Sequence, residues 1–347
     1  MTNTKKIINF FKTVMLYARV GLRGMTPLKG YVMARYWIKT NIFKQNIPWL
    51  MEFSVTYSCQ CKCPHCSVGE YLDEANKKRQ DELSNEQIKD VLAQAVKMGI
   101  PKVDFFGGEP LLKSGIIDLV GFGAKKGLYV SITTNAELLT KETTRALKKA
   151  GISCINISID SVSGEKHDSL RGVPGIYKKV LAGIGYCHEE KIPCITSTYV
   201  TRNRIINFGK GAADDSQLTQ IIALSKELKA SGLRILFPII SGRWEKGKEL
   251  EFTEAEKKLV MDNLDYSFAF IEGAYSVKNG KKTCQSLSGR MFNISPYGDV
   301  QLCVTFPQNF GNVKNNSLAE VLKAMYDHPT YLKNKGRNTC STDGLEC

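Results

Sequence analysis

From Trp49 onward, short runs of apolar and β-branched residues alternate with longer stretches in which apolar positions recur every three or four residues. The runs at 50–56, 102–106, 128–133, 153–160, 194–201 and 233–239 read as strands. The stretches 85–98, 114–126, 141–150, 176–190 and 217–230 read as amphipathic helices between them. Ser84 and Gln87 supply both partners of a capping box at the start of the 85–98 helix, and Gly99 stops it. Strand–helix units in series predict an α/β fold whose parallel strands are joined by right-handed crossovers. In such folds the side chains that do chemistry collect at the carboxyl ends of the strands.

Beyond a helix predicted over 254–271, the pattern changes to two short strand runs, 291–295 and 300–304, joined by the turn Pro296-Tyr297-Gly298-Asp299. This predicts a small separate module with its boundary near Glu272, giving three parts: a lead at 1–48, a core at 49–272 and the module at 273–347. Three polar connections stand out, at 69–83, 202–215 and 241–251. The last carries Arg243 and Trp244 and is a candidate lid over a substrate, although a solvated connection is the plainer reading of each.

The composition is ordinary for a globular chain of 347 residues, at 43% hydrophobic and 24% charged. The charge is less ordinary. Of the net +14, nine units come from residues 1–50, which hold Lys5, Lys6, Lys12, Arg19, Arg23, Lys29, Arg35, Lys39 and Lys44 and no Asp or Glu. Ile7, Ile8, Phe11 and Met15 recur there at nearly helical spacing, among several aromatic residues. Two readings stand side by side. One is a helical extension packed on the core with its cations in water. The other is an interfacial helix at an anionic membrane, where each basic residue is worth about 1 kcal/mol, or a surface for an acidic peptide. No nucleic-acid-binding motif accompanies the charge, so no nucleic-acid partner is expected. No run approaches the roughly 18 apolar residues of a membrane span, which predicts a soluble or peripheral protein. Eleven cysteines without a signal-peptide pattern predict a reducing cytoplasm, where clustered thiols hold metals.

Directly after the first strand, Cys59, Cys63 and Cys66 stand at C-x3-C-x2-C spacing. Three thiolates leave one iron of a four-iron cluster free for a ligand with its own nitrogen and oxygen atoms, although the spacing alone admits half of a zinc site equally well. Cys61 is offset by one residue, which points it elsewhere in the loop. After the second strand comes Phe106-Gly107-Gly108-Glu109-Pro110, whose glycines permit close approach to a ligand and whose Glu109 offers a carboxylate to an ammonium group.

With these two motifs in this order, the chain resembles the radical S-adenosylmethionine (SAM) superfamily over about residues 49–240. The resemblance implies a partial, TIM-like (β/α)6 barrel. It implies that Cys59, Cys63 and Cys66 hold a 4Fe-4S cluster, that S-adenosylmethionine chelates the remaining iron, and that one electron from the cluster yields a 5'-deoxyadenosyl radical. By the same resemblance His65 lies against the adenine and Gly107, Gly108 and Glu109 receive the methionine ammonium. Thr134, Asn135, Ser158 and Asp160 would serve the ribose and the methionine end. Arg171, in His167-Asp168-Ser169-Leu170-Arg171-Gly172, resembles an arginine that pairs with the cofactor carboxylate, against the alternative of a helix-start arginine in water. Thr198 and Val200 would meet the adenine edge through backbone, and strand packing explains them equally well.

In the tail, Cys284, Cys303, Cys340 and Cys347, with the 296–299 turn and Gly311-Asn312-Val313, resemble the auxiliary-cluster extension called SPASM, or its shorter twitch form. Four thiolates would close an auxiliary 4Fe-4S cluster; four unrelated thiols are the alternative. The fuller form carries more cysteines and two clusters, so a one-cluster or shortened version is implied. Cys154, Cys187 and Cys194 fall in strand and helix patterns and are expected in the core, and His167, His188 and His328 show no ligand spacing.

The function expected is that of a radical SAM enzyme modifying a peptide or protein, fed by a donor such as flavodoxin or ferredoxin, with the acid-free lead attracting an acidic leader peptide. The alternatives are a lipid, isoprenoid or other small-molecule substrate met at a membrane through residues 1–48, and an iron–sulfur electron carrier without turnover. A cytoplasmic location is expected, membrane-associated in the lipid reading.

Overall fold

The computed structural model describes residues 3–69, 71–72, 81–239, 241–246, 252–272, 275–278, 281–306 and 308–337. Two helices lead, α1 (Asn3–Arg23) and α2 (Pro27–Trp37), and the alternating pattern then begins. It runs β1 (Leu50–Thr56), α3 (Asn85–Met98), β2 (Lys102–Gly107), α4 (Ile116–Lys125), β3 (Tyr129–Thr134), α5 (Lys141–Ala150) and β4 (Cys154–Ser158). Next come α6 (Gly164–Arg171), α7 (Ile176–Glu189), β5 (Cys194–Tyr199), α8 (Gln217–Glu227) and β6 (Gly232–Leu236). Local chemistry sets several of these limits. The Ser84–Gln87 capping box forms as expected, and Gly99 closes α3 in the left-handed conformation at φ 99°. Ile88, Val91, Leu92 and Ala95, spaced three and four apart, turn one face of α3 into the core; burying a side chain of the Leu or Ile kind contributes about 1.5–3 kcal/mol.

Strands β1 to β6 are parallel neighbours in chain order, as the strand–helix repeat predicts. The sheet is longer than six strands. The helix expected over 254–271 is shorter, as α9 (Glu254–Asn263), because the Asp265 carboxylate turns to accept the Ser267 amide and breaks the helical ladder. Residues beyond that turn form β7 (Ala269–Glu272), parallel to β6. A two-stranded hairpin follows, β8 (Tyr275–Lys278) with β9 (Lys281–Cys284).

The tail then returns to the other end of the sheet: β10 (Met291–Ile294) pairs in parallel with β1, and β11 (Val300–Gln301) pairs antiparallel to β10. The strands expected to stand apart thus complete the main sheet, tied to β1 by Ser54 Oγ donating to Asn293 Oδ1 (3.2 Å) and closed by α10 (Leu318–Asp327) and α11 (Pro329–Asn334). The largest part of the described core is one continuous apolar cluster running from Met51 on β1 to Tyr331 on α11.

The lead forms the expected helices and packs beneath this barrel. Leu16 and Val20 of α1 are buried with Tyr129, Cys154, Ile195 and Phe270, which all lie at the amino ends of strands. Lys29 departs from the expectation that the lead's cations lie in water. It is buried, and its ammonium donates to Gly151 O (2.9 Å) and Ser153 Oγ (2.7 Å), burial lowering its pKa to about 8. Among the described residues, no helix is long and apolar enough to cross a membrane.

Candidate functional site

At the carboxyl end of β1 the chain leaves the sheet and coils, carrying Cys59, Cys61, Cys63 and Cys66 in ten residues. The Gly107–Gly108 turn is stitched to this loop. Gly108 N donates to Thr56 O and Glu109 N to Ser58 O, both at 2.8 Å. Gly107 sits at φ 130°, and a Cβ on Gly107 would overlap the Thr56 carbonyl, one on Gly108 the Ser58 carbonyl. The close approach these glycines allow is therefore to the cysteine loop itself. Glu109 is fully buried, and its carboxylate accepts from Thr134 Oγ1 (2.7 Å), Asn135 N (2.8 Å) and Leu111 N (3.0 Å), locking the end of β2 to the end of β3. Burial lifts its pKa to about 7 against those three donors.

Cys61 corrects the expectation that its offset points it away. Its thiol lies buried between Cys59 and Cys63, because the irregular backbone of the loop turns alternate residues inward. Hydrogen bonds from Cys61 hold Cys59 and Cys63 below the ordinary thiol range, while its own pKa rises far above it. Burial pushes Cys66 up to about 11. Asn135 Nδ2 stands 3.8 Å from Cys59 Sγ, and Arg171 Nη1 stands 3.6 Å from Cys63 Sγ.

Arg171 ends α6 rather than starting a helix in water, and it is buried. Its Nη2 lies 2.5 Å from Asp160 Oδ2. Burial alone would raise the Asp160 pKa, but Arg171, then His65 and Arg204, hold it well below the usual carboxylate range. His65 Nε2 lies 3.6 Å from the same Oδ2. Asp160 N donates to His167 Nδ1 (3.1 Å), so His167, which shows no ligand spacing in sequence, is an inward member of this cluster. Ser158 is half-buried at the end of β4, paired in register with Ser197.

Burial lowers both His65 and His167 from 6.5 to about 4. An unfolded chain therefore binds two more protons than the folded one between those values, and stability falls as pH drops through that window. Glu109 works the other way between pH 4.5 and 7, since the folded state keeps a proton that the unfolded chain has released. Two histidines against one carboxylate leave a net loss of about 1.4 kcal/mol per pH unit on acidification from 6.5 toward 4.5. Urea midpoints at pH 6.5 and 5.0 should fall accordingly, and His167→Gln should flatten the trend.

A cleft of about 810 Å³ opens beside the cysteine loop. His65, Arg204 and Leu170 line it, with Arg243 and Trp244 from the expected lid. That connection is seated on the loop: Arg243 N donates to Cys66 O (3.1 Å), and the rings of His65, Tyr199 and Trp244 meet at centroid distances of 5.0–5.9 Å. Arg204 is buried, donating to Thr198 Oγ1 (3.1 Å) and Tyr199 O (2.7 Å). Arg204, Tyr199 and His167 are site residues that sequence reasoning missed. The signal for His167 was its place at the head of the run His167-Asp168-Ser169-Leu170-Arg171-Gly172, four residues before Arg171; nothing flagged Arg204. Thr198 serves Arg204, and Val200 is packed in the core.

In the tail, Cys284 and Cys303 share one buried patch. Cys284 N accepts the chain's return by donating to Arg337 O (2.9 Å), and Cys303 Sγ lies 3.1 Å from Thr305 Oγ1. Burial, with Cys284 adding to it, lifts Cys303 to about 11. Cys340 and Cys347 lie outside the described residues. Cys154, Cys187 and Cys194 are buried core residues as expected.

The donor chemistry of the first loop fits an iron–sulfur cluster: three thiols on one loop, two held toward thiolate, with N–H donors from Asn135 and Arg171 aimed at sulfur. Among the described residues no three His, Cys, Asp or Glu side chains already form a metal cage, so the thiols must draw in around it.

Residues 53–204 match the profile of the radical SAM superfamily, and residues 284–342 that of an iron–sulfur cluster-binding domain, SPASM. The chain is 28% identical over 293 residues to the PqqA peptide cyclase of Rhizobium meliloti, covering 79% of this chain and 73% of the relative. It is 28% identical over 214 residues to the AdoMet-dependent heme synthase of Methanosarcina barkeri, covering 62% of this chain. The match spans 57% of that synthase and 42% of the one from Nitratidesulfovibrio vulgaris, about half the length of these relatives. Among solved structures, Streptococcus suis SuiB bound to its precursor peptide SuiA aligns at a TM-score of 0.66 and 19% identity, over 90% of this chain and 73% of SuiB. The structure titled anSMEcpe with bound AdoMet aligns at 0.60 and 17% identity, over 86% and 83%. At these identities the likeness is one of fold.

Proposed function

Because the chain belongs to the radical SAM superfamily and carries a SPASM iron–sulfur cluster-binding domain in its tail, we propose that it is an enzyme that cleaves S-adenosylmethionine reductively and takes hydrogen from a peptide or protein. The observation that carries this reading is the open cleft of about 810 Å³ against the cysteine loop, at the carboxyl ends of the strands. Its size suits a nucleoside cofactor with room for one substrate side chain, so a peptide would lie across the mouth. The similarity to a peptide cyclase along 79% of the chain supports the peptide.

Bound here, the cluster and cofactor would supply an electron and a carbon-centred radical; holding and orienting them falls to the chain. Cys59, Cys63 and Cys66 are the proposed cluster ligands, and His65 the partner of the adenine. Gly107, Gly108 and Glu109 are the proposed seat of the methionine ammonium, with Glu109 kept in place by its three donors. Asn135, Ser158 and Asp160 are the remaining proposed cofactor contacts. Arg171 is engaged by Asp160 and points a donor at Cys63, so we assign it to positioning those two groups. Residues 49–272 would form the core and 273–347 the auxiliary module, with Cys284, Cys303, Cys340 and Cys347 as its ligands. A reduced flavodoxin or ferredoxin would be the electron source.

Anaerobic protein, reconstituted with iron and sulfide and given dithionite and S-adenosylmethionine, should release 5'-deoxyadenosine; none would leave only the electron carrier. Short peptides encoded beside the gene should then change mass on incubation. Turnover stimulated by extracted lipids but by no peptide would transfer the reading to a lipid substrate.

A further inference from the structure

The surface opposite the cleft has a composition that the proposed chemistry does not use. Among the described residues, eighteen large apolar side chains are exposed, and fourteen of them lie between Ile7 and Phe43. On α1 they are not scattered. Leu16 and Val20 mark the face buried against the barrel. At 100° per residue, Ile7, Phe11, Val14 and Leu22 fall on the opposite side of the helix, with Phe10 and Met15 flanking them. Phe11 is 61% exposed and Met15 68%. The cations Lys12, Arg19 and Arg23 lie together along one border of this apolar face, all exposed. Tyr31 and Trp37 extend the same exposed character onto α2. A single-sided helix has no use for a second apolar face in water, and contiguous patches of this kind mark interaction sites.

We propose that α1 and α2 dock the protein on an anionic lipid bilayer, the α1 apolar face entering the headgroup boundary. Two observations select this occupant. Residues 1–50 carry nine Lys and Arg and no acid, and with the buried Lys29 set aside the other eight still make a second copy of the same surface repel, whereas anionic headgroups complement it. Aromatic and aliphatic side chains with cations at their border are the arrangement that an interfacial helix needs. The geometry also separates this contact from the chemistry. The lead packs on Tyr129, Cys154 and Ile195 at the amino ends of β3, β4 and β5, while the cleft is lined from the loops beyond the carboxyl ends of the strands. Docking therefore leaves the cleft facing away from the lipid. The same separation argues against the acid-free lead steering a leader peptide into the cleft, since the barrel stands between them.

Sedimentation of the full, reconstituted protein with vesicles tests this. It should pellet with phosphatidylcholine vesicles containing phosphatidylglycerol, pellet far less with phosphatidylcholine alone, and be released by high salt. Phe11→Asp with Met15→Asp, both outward-facing, should lower partitioning at least about tenfold, while Leu332→Asp, at an exposed apolar site on α11, should leave it unchanged. Circular dichroism and 5'-deoxyadenosine release, which should match the parent, separate lost docking from lost folding. A protein that stays in the supernatant with anionic vesicles overturns the proposal. So does a dimer in sedimentation velocity that the double substitution dissolves, because a second copy would then cover the face.

Discussion

Alanine at Cys59, Cys63 or Cys66 should each reduce 5'-deoxyadenosine release to background and strip the first cluster's iron, while alanine at Cys61 should leave both in place. The contrast is the informative part, because all four thiols occupy one short loop and the structure puts Cys61 in contact with two of the others. If Cys61 were a ligand, its thiol would have to become a thiolate, yet its two hydrogen bonds hold its pKa far above the ordinary range and hold Cys59 and Cys63 below it. The expected role of Cys61 is therefore to hydrogen-bond the two proposed ligands, Cys59 and Cys63, without binding iron itself. Iron analysis and the absorption of the reconstituted cluster read the first half of the prediction, and product release the second. Loss of iron in Cys61→Ala, with iron retained in Cys59→Ala, would reverse the assignment.

A second large effect is expected at the Asp160–Arg171 pair. Both residues are buried, and Arg171 Nη2 lies 2.5 Å from Asp160 Oδ2. Arg171→Met leaves the buried Asp160 carboxylate with only the weaker attraction of His65, Arg204 and His167, and breaking such a pair from one side costs about 3–5 kcal/mol. The double variant Asp160→Asn with Arg171→Met removes both charges and should recover a substantial part of that loss. Urea unfolding of the apo protein under reducing conditions measures the cycle. Equal losses in the single and double variants would mean that the pair is not what holds α6 under the cysteine loop.

The order of strands and helices was legible because it rests on local signals: the Ser84–Gln87 box and Gly99 bound α3 as expected. The limits that failed are those set by distant partners. Residues 269–272 look like the end of an amphipathic helix until the open edge of β6 offers them hydrogen bonds. Likewise β10 reads as the start of a separate module because nothing in Met291–Ile294 announces that its partner is β1, more than two hundred residues earlier. At the site, spacing singled out Cys59, Cys63 and Cys66, which the structure carries together on the loop after β1. His167 and Arg204 enter through burial and neighbours, Asp160 for one and Thr198 for the other, which a linear pattern does not encode. Glu109 was found, but its three donors on and around β3 were not.

The strand that carries the cysteine loop has its outer edge covered by β10. During synthesis, β1 leaves the ribosome early and waits for that neighbour until residue 294 has followed. A chain interrupted before then presents a bare strand edge beside four uncommitted thiols, open to oxidation and to pairing with other nascent chains. Forms truncated before Met291 should therefore aggregate.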